Sequence, residues 1–211
     1  MNHVVLLGDS VFDNGAYVRG GPDVVSQLRE ALPPGWKATL KAVDGSVTRN
    51  VSSQAASIPT DASHLVISVG GNDALGHAGI LSDSARSSAE VLARLADIGD
   101  AFEQDYSRAI DAVERHGLPT AVCTIYYPRF PEPDLQRLAV TALSVFNDCI
   151  IREAFRRGLP LLDLRLICDD DADYANPIEP STRGGEKIAA AIRRVVTEHD
   201  FTRRRTEVFI R

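Results

Sequence analysis

The sequence predicts a single three-layer α/β/α domain built on a five-stranded parallel sheet, and three observations carry that expectation. Five short runs are largely apolar, the pattern of strands buried on both faces. Longer segments between them repeat apolar residues at steps of three and four, the helical period. Gly117-Leu118-Pro119 and Gly158-Leu159-Pro160 punctuate two helix-to-strand passages in the same way. Strands and helices in alternation give a parallel sheet with helices on both sides.

The elements follow in order. His3–Leu7 is the first strand, and Pro22–Leu32 a helix with Val24, Val25, Leu28 and Leu32 on one side. Pro33-Pro34-Gly35 stops that helix, since proline lacks the amide a further turn needs. Lys37–Val43 reads as the second strand, Arg49–Ser57 as a short helix and His64–Val69 as the third strand, ended by Gly70-Gly71. Ser84–His116 is a long amphipathic helix that Gly99 divides in two if it breaks anywhere. Thr120–Ile125 is the fourth strand. The helix Asp134–Arg157 turns Leu138, Ala142, Val145, Cys149 and Ile150 inward. Leu161–Leu164 is the fifth strand and Gly185–Thr197 the last helix. This rhythm is that of a doubly wound, flavodoxin-like sheet, whose sites lie at the carboxyl ends of the strands. The domain is assigned to residues 1–200. The remaining 201–211 form a tail, or an added edge strand through Val208 and Ile210.

A length of 211 residues with 44% hydrophobic and 25% charged residues suits one such domain with its own core. The net charge of −6 argues against a nucleic-acid partner. Local basic clusters at Arg203–Arg205 with Arg211, and at Arg152, Arg156 and Arg157, read as solvated surface, as does the acidic run Asp169–Asp173. Cys123, Cys149 and Cys168 are odd in number and widely spaced, so they give neither a disulfide framework nor a zinc motif. No metal or cofactor is expected. The N-terminus shows no basic region ahead of an apolar signal, and no stretch approaches the ~20 apolar residues of a membrane span. The expectation is a cytoplasmic protein without a membrane partner.

Small and polar residues gather just past the strands. Gly8-Asp9-Ser10 follows the first, Asp44-Gly45-Ser46 the second and Gly70-Gly71-Asn72-Asp73 the third. Any one alone is explained as a turn. Together and in this order they resemble the blocks of the SGNH (GDSL-like) hydrolase superfamily, with Asn147 and Leu162-Asp163-Leu164 as softer matches. The resemblance implies that Ser10 attacks an ester or similar acyl carbonyl. It implies an oxyanion hole made by the backbone N–H groups of Ser10 and Gly45 and the side-chain amide of Asn72, with glycine at 45 leaving room for the substrate oxygen. Asp9, Asp13, Asn72 and Asp73 also echo binuclear metallophosphatase blocks. However, Asp9 and Asp13 are four apart rather than three, and no histidine follows Asn72, so that chemistry is set aside.

The superfamily closes on D-x-x-H before proline, and here Asn176-Pro177-Ile178-Glu179-Pro180 fills that frame. Asn176 stands for the aspartate and Glu179 for the histidine that deprotonates the serine. Three accounts stay open. Glu179 is itself the base, raised by burial and oriented by Asn176. Alternatively His77, in the loop after the third strand, supplies it. In the third account the site is not hydrolytic, and it binds an acyl or anionic ligand or serves a different acyl-transfer chemistry. His3, His64, His116 and His199 are assigned to the surface or to helix ends, and Tyr126-Tyr127-Pro128 to a pocket wall or the core. The leading expectation is a serine-dependent hydrolase or acyl transferase acting on a small ester, with Asp9 in a supporting place. The alternative is a non-catalytic ligand-binding protein on the same scaffold.

Overall fold

The structure is a computed structural model that describes residues 2–210. Met1 and Arg211 lie outside the described residues, and with Arg211 goes the end of the C-terminal basic cluster. In β1 (Asn2–Gly8), Val4 and Leu6 enter one core cluster while Val5 and Leu7 enter the other. A strand points successive side chains to opposite faces, so a run apolar at every position belongs inside a sheet covered on both sides. The chain continues through α1 (Val24–Ala31), β2 (Trp36–Leu40), α2 (Val51–Ala55), β3 (His64–Ser68), α3 (Gly71–Gly76) and α4 (Ser88–Glu114). It goes on through β4 (Thr120–Cys123), α5 (Pro133–Arg157), β5 (Leu161–Leu162) and α6 (Leu164–Ile167). A hairpin of β6 (Tyr174–Asn176) and β7 (Glu179–Pro180) precedes α7 (Thr182–Glu198) and β8 (Val208–Phe209).

The main sheet has the order β2-β1-β3-β4-β5-β8, every pair parallel. Helices α1 and α7 cover one face through Val24, Leu28, Ile188 and Ile192, and α4 and α5 the other through Phe102, Ile110, Phe146 and Ile150. The strand order reverses at β1, where β2 lies to one side and β3 to the other. In a doubly wound sheet that reversal opens a crevice at the carboxyl ends. Gly8 pairs with Ser68 at that end, so the residues after β1 and after β3 emerge side by side.

The sheet therefore has six strands rather than five, because Val208 and Phe209 of the tail pair with Leu161 and Leu162. Helix α4 is continuous through Gly99. That glycine is buried, and a β-carbon there would come within 2.7 Å of Val145 on α5, so it serves close helix packing rather than a break. Strand β5 stops at Leu162 because the Asp163 side chain accepts the Arg165 N–H and starts α6. On α5, Leu138 faces out rather than in, 46% exposed.

Several polar residues expected at the surface lie inside. His3 is buried between Asp61 (2.9 Å from Nδ1) and Thr39 (2.8 Å from Nε2). His199 ends α7, but its buried ring bonds Glu207 at 2.7 Å and meets Phe201 edge-on. Asp173 is fully buried and ion-paired with Lys187 at 2.5 Å. Arg157 bridges α4 and α5 through Asp111, Glu114 and Glu153. Among the described residues no helix is long and apolar enough to cross a membrane.

Candidate active site

Ser10 lies in the turn after β1 and is 7% exposed. Its hydroxyl donates to Glu179 Oε1 at 3.1 Å. The second oxygen of Glu179, Oε2, is buried with no hydrogen-bond partner among the described residues. Burial pushes the Glu179 carboxyl up to about 7, the Ser10 hydrogen bond opposing and the Asp44 charge adding to the rise. Glu179 is thus poised to hold or release a proton near neutrality, as general-base work requires.

The hairpin that carries Glu179 is fixed from two sides. Asn176, expected to orient Glu179, reaches its backbone and not its carboxylate. Its Oδ1 accepts the backbone N–H groups of Ile178 (2.9 Å) and Glu179 (3.0 Å), a local turn that sets the backbone instead. From the segment after β4, the Tyr126 hydroxyl donates to the Ile178 carbonyl and the Arg129 N–H to the Pro177 carbonyl, both at 2.7 Å. Tyr126 itself is buried and forms part of the cavity wall.

On the other side of Ser10, the Asn72 side chain leaves the start of α3 and donates to the Ser46 carbonyl at 2.9 Å. An amide carries two N–H groups, so one stays available to a ligand. Gly45, one residue before Ser46, is exposed and is not part of the cavity lining. Its φ of +75° explains the glycine directly, since L side chains rarely adopt that backbone. Asp73 accepts the N–H and the hydroxyl of Thr48, both at 2.9 Å, and ties the same loop to α3.

Gln54 was not singled out by sequence, yet its side-chain amide clasps Gly8. Oε1 accepts the Gly8 N–H at 2.7 Å, and Nε2 donates to the Gly8 carbonyl at 2.8 Å and to Ser46 Oγ at 3.3 Å. The available signal was a polar residue on the buried side of a short helix, beside Val51 and Ala55. Gly8 itself has φ +129°, and a methyl group there would run into the Ser68 carbonyl. Gly8→Ala is therefore expected to cost at least about 3–4 kcal/mol of stability, strain and displacement of β3 combined. A urea-unfolding midpoint equal to that of the wild type would contradict this.

Asp9 is 2% exposed, and its Oδ1 accepts the Val11 N–H at 3.1 Å. Burial drives its carboxyl up to about 8, the Val11 bond opposing and the Glu179 and Asp73 charges adding. A carboxyl raised on folding binds its proton more tightly in the native state. Its stabilising contribution is present below the unfolded value near 4 and is lost as pH climbs through about 8. Asp9→Asn should therefore gain stability over the wild type between pH 5 and pH 9, by an amount on the order of a few kcal/mol. Denaturation at the two pH values measures it, and an equal pH response in both proteins excludes a buried ionisation at Asp9. His77, the rival base, caps α3 as an exposed residue on the cavity wall, and no hydrogen bond joins it to Ser10.

Asp9, Ser10, Asn72, His77 and Glu179 border one cavity of about 250 Å³, walled otherwise by apolar side chains of α3, α4 and α5 and the segment after β4. Among the described residues no group of three His, Cys, Asp or Glu is placed to hold a metal ion. A serine hydroxyl bonded to a buried carboxylate at a doubly wound crevice invites comparison with known proteins. Residues 6–187 match the model of the GDSL-like lipase/acylhydrolase family. The chain belongs to that family. Membership in the GDSL-like family supports a hydrolytic function and a small-molecule substrate.

Solved structures with the same fold include a lipase from a goat rumen metagenome, with TM-score 0.69 and 18% identity over 92% of this chain and 96% of that one. An extracellular lipase from Streptomyces rimosus gives 0.62 and 20% over 90% and 97%. A carbohydrate acetylesterase from Sinorhizobium meliloti gives 0.62 and 11% over 93% and 98%. At these identities the likeness establishes the fold alone. No curated protein matches the GDSL-like chain in sequence.

Proposed function

We propose that the protein is a serine esterase in which Ser10 is the nucleophile and Glu179 the general base. The observation that carries this is the 3.1 Å bond from the Ser10 hydroxyl to Glu179, whose other oxygen has no partner. Glu179 takes the hydroxyl proton as Ser10 Oγ bonds to the acyl carbon. The proton then passes to the leaving alcohol as the ester C–O bond breaks. Water, deprotonated by the same carboxylate, cleaves the acyl-enzyme and restores the serine. The Asn72 amide, with the backbone N–H groups of Ser10 and Gly45, would receive the oxyanion in both steps. A glutamate in place of histidine changes the charge account. It goes from anionic to neutral as it takes the proton, so the negative charge moves to the oxyanion rather than forming an ion pair. That places more of the burden on the oxyanion donors.

Acyl transfer to another acceptor uses the same first step, and a non-reactive binding protein would share the cavity. A fluorophosphonate probe discriminates, because it labels a serine only when the hydroxyl is activated. Stoichiometric labelling of the wild type and none of Ser10→Ala is the expected result. A folded wild type that stays unlabelled would sink the esterase assignment and favour the binding protein.

A further inference from the structure

The apolar stripe of α4 runs on past the core. Phe102, Tyr106, Ile110 and Val113 are buried against the sheet and α5, but Ile98 and Leu95, one and two turns earlier, are only half-buried and face the cavity. Leu81 and Leu75 from the α3 side and Phe146 from α5 complete this wall. The polar lining gathers instead where β1 and β3 end, at Asp9, Ser10, Ser68, Asn72 and Glu179, with His77 apart at the end of α3. Among the described residues no lysine or arginine borders the space. An acyl group carrying a carboxylate or phosphate would meet Asp9 and Glu179 with no countercharge, a costly desolvation. A hydrocarbon would cover side chains that otherwise face water.

From this arrangement we infer that the cavity beside Ser10 is an acyl-chain site, selecting esters of uncharged straight-chain acids of roughly six to ten carbons over acetate, because a dry apolar cavity of about 150 Å³ already holds benzene and this one is larger. The inference rests on the serine-esterase assignment and adds the substrate class to it. Leu95 on α4 and Ala142 on α5, both half-buried, line the space and set its usable length.

The test is kcat/KM across p-nitrophenyl acetate, butanoate, hexanoate, octanoate and decanoate, with the p-nitrophenyl monoester of succinic acid as the charged match for butanoate. Burying one methylene corresponds to about fourfold in rate. The octanoate-to-acetate ratio should therefore exceed about 100, and the succinate ester should fall at least about tenfold below butanoate. Leu95→Trp and Ala142→Trp, made separately, should each lower the octanoate-to-acetate ratio by at least about tenfold, since each fills the space from a different helix. A flat or declining series in the wild type, with Ser10 still labelled by fluorophosphonate, overturns the acyl site while leaving the esterase intact. Should Ser10 prove unreactive, calorimetric titration of the wild type with n-octanol and n-butanol replaces the kinetic series. Octanol binding that is lost in Ala142→Trp upholds the hydrocarbon site, and no octanol binding overturns it.

Discussion

Ser10→Ala is expected to lower kcat/KM toward p-nitrophenyl butanoate by about 10⁵–10⁶-fold without lowering the thermal midpoint by more than a degree or two. The size follows from what remains. Oxyanion donors and substrate binding leave a residual acceleration of about 10³–10⁴ over water, and covalent catalysis supplies the rest. The Ser10 hydroxyl makes a single side-chain hydrogen bond, to Glu179, so its removal leaves the sheet and the Gln54 clasp untouched. Equal rates for a clearly active wild type and Ser10→Ala would remove Ser10 from the chemistry.

Glu179→Gln should cost about 10²–10⁴-fold, the usual worth of a general base, and should also change the shape of the pH profile. In the wild type, kcat/KM should rise with pH and level off above about 7, because in the proposed mechanism only the ionised carboxylate accepts the serine proton. An amide holds the same volume but takes no proton, so the residual rate of Glu179→Gln loses that inflection. His77→Ala, in contrast, keeps it. If the inflection near 7 survives in Glu179→Gln and vanishes in His77→Ala, the base has been misassigned and the rim histidine takes its place.

Much of the scaffold was legible because it is written in local periodicity. β1, β3 and the long helices announce themselves by apolar spacing that needs no knowledge of distant residues. The elements that escaped are short and held by tertiary or side-chain contacts. Helix α6 depends on Asp163 as its cap, and the hairpin β6–β7 on Asn176, Tyr126 and Arg129. Two residues cannot show a strand period, so β5 was drawn too long and β8 was read only as one of two outcomes for the tail. At the site, Ser10 and Asn72 were visible because adjacent parallel strands deliver their following residues to one edge. Asn176 was assigned to the right frame and to Glu179, but it bonds that residue through the backbone N–H; sequence does not reveal whether an amide reaches a side chain or a backbone. The cavity wall was hidden for a different reason. Leu95 and Ile98 continue a stripe that packs further along, and spacing alone does not tell a residue that touches protein from one that faces empty space.

The Gln54 amide, bonded to both backbone groups of Gly8 and to Ser46, acts as a one-residue extension of the sheet at the point where β1 runs out. It couples the strand that leads to Ser10 to the loop proposed to receive the oxyanion, so the two cannot drift independently. Under the proposed mechanism, a site wired this way arrives at each encounter already assembled. Its turnover owes nothing to a closing movement of these parts, and hydrogen exchange at the Gly8 amide should be as slow as in the middle of β1.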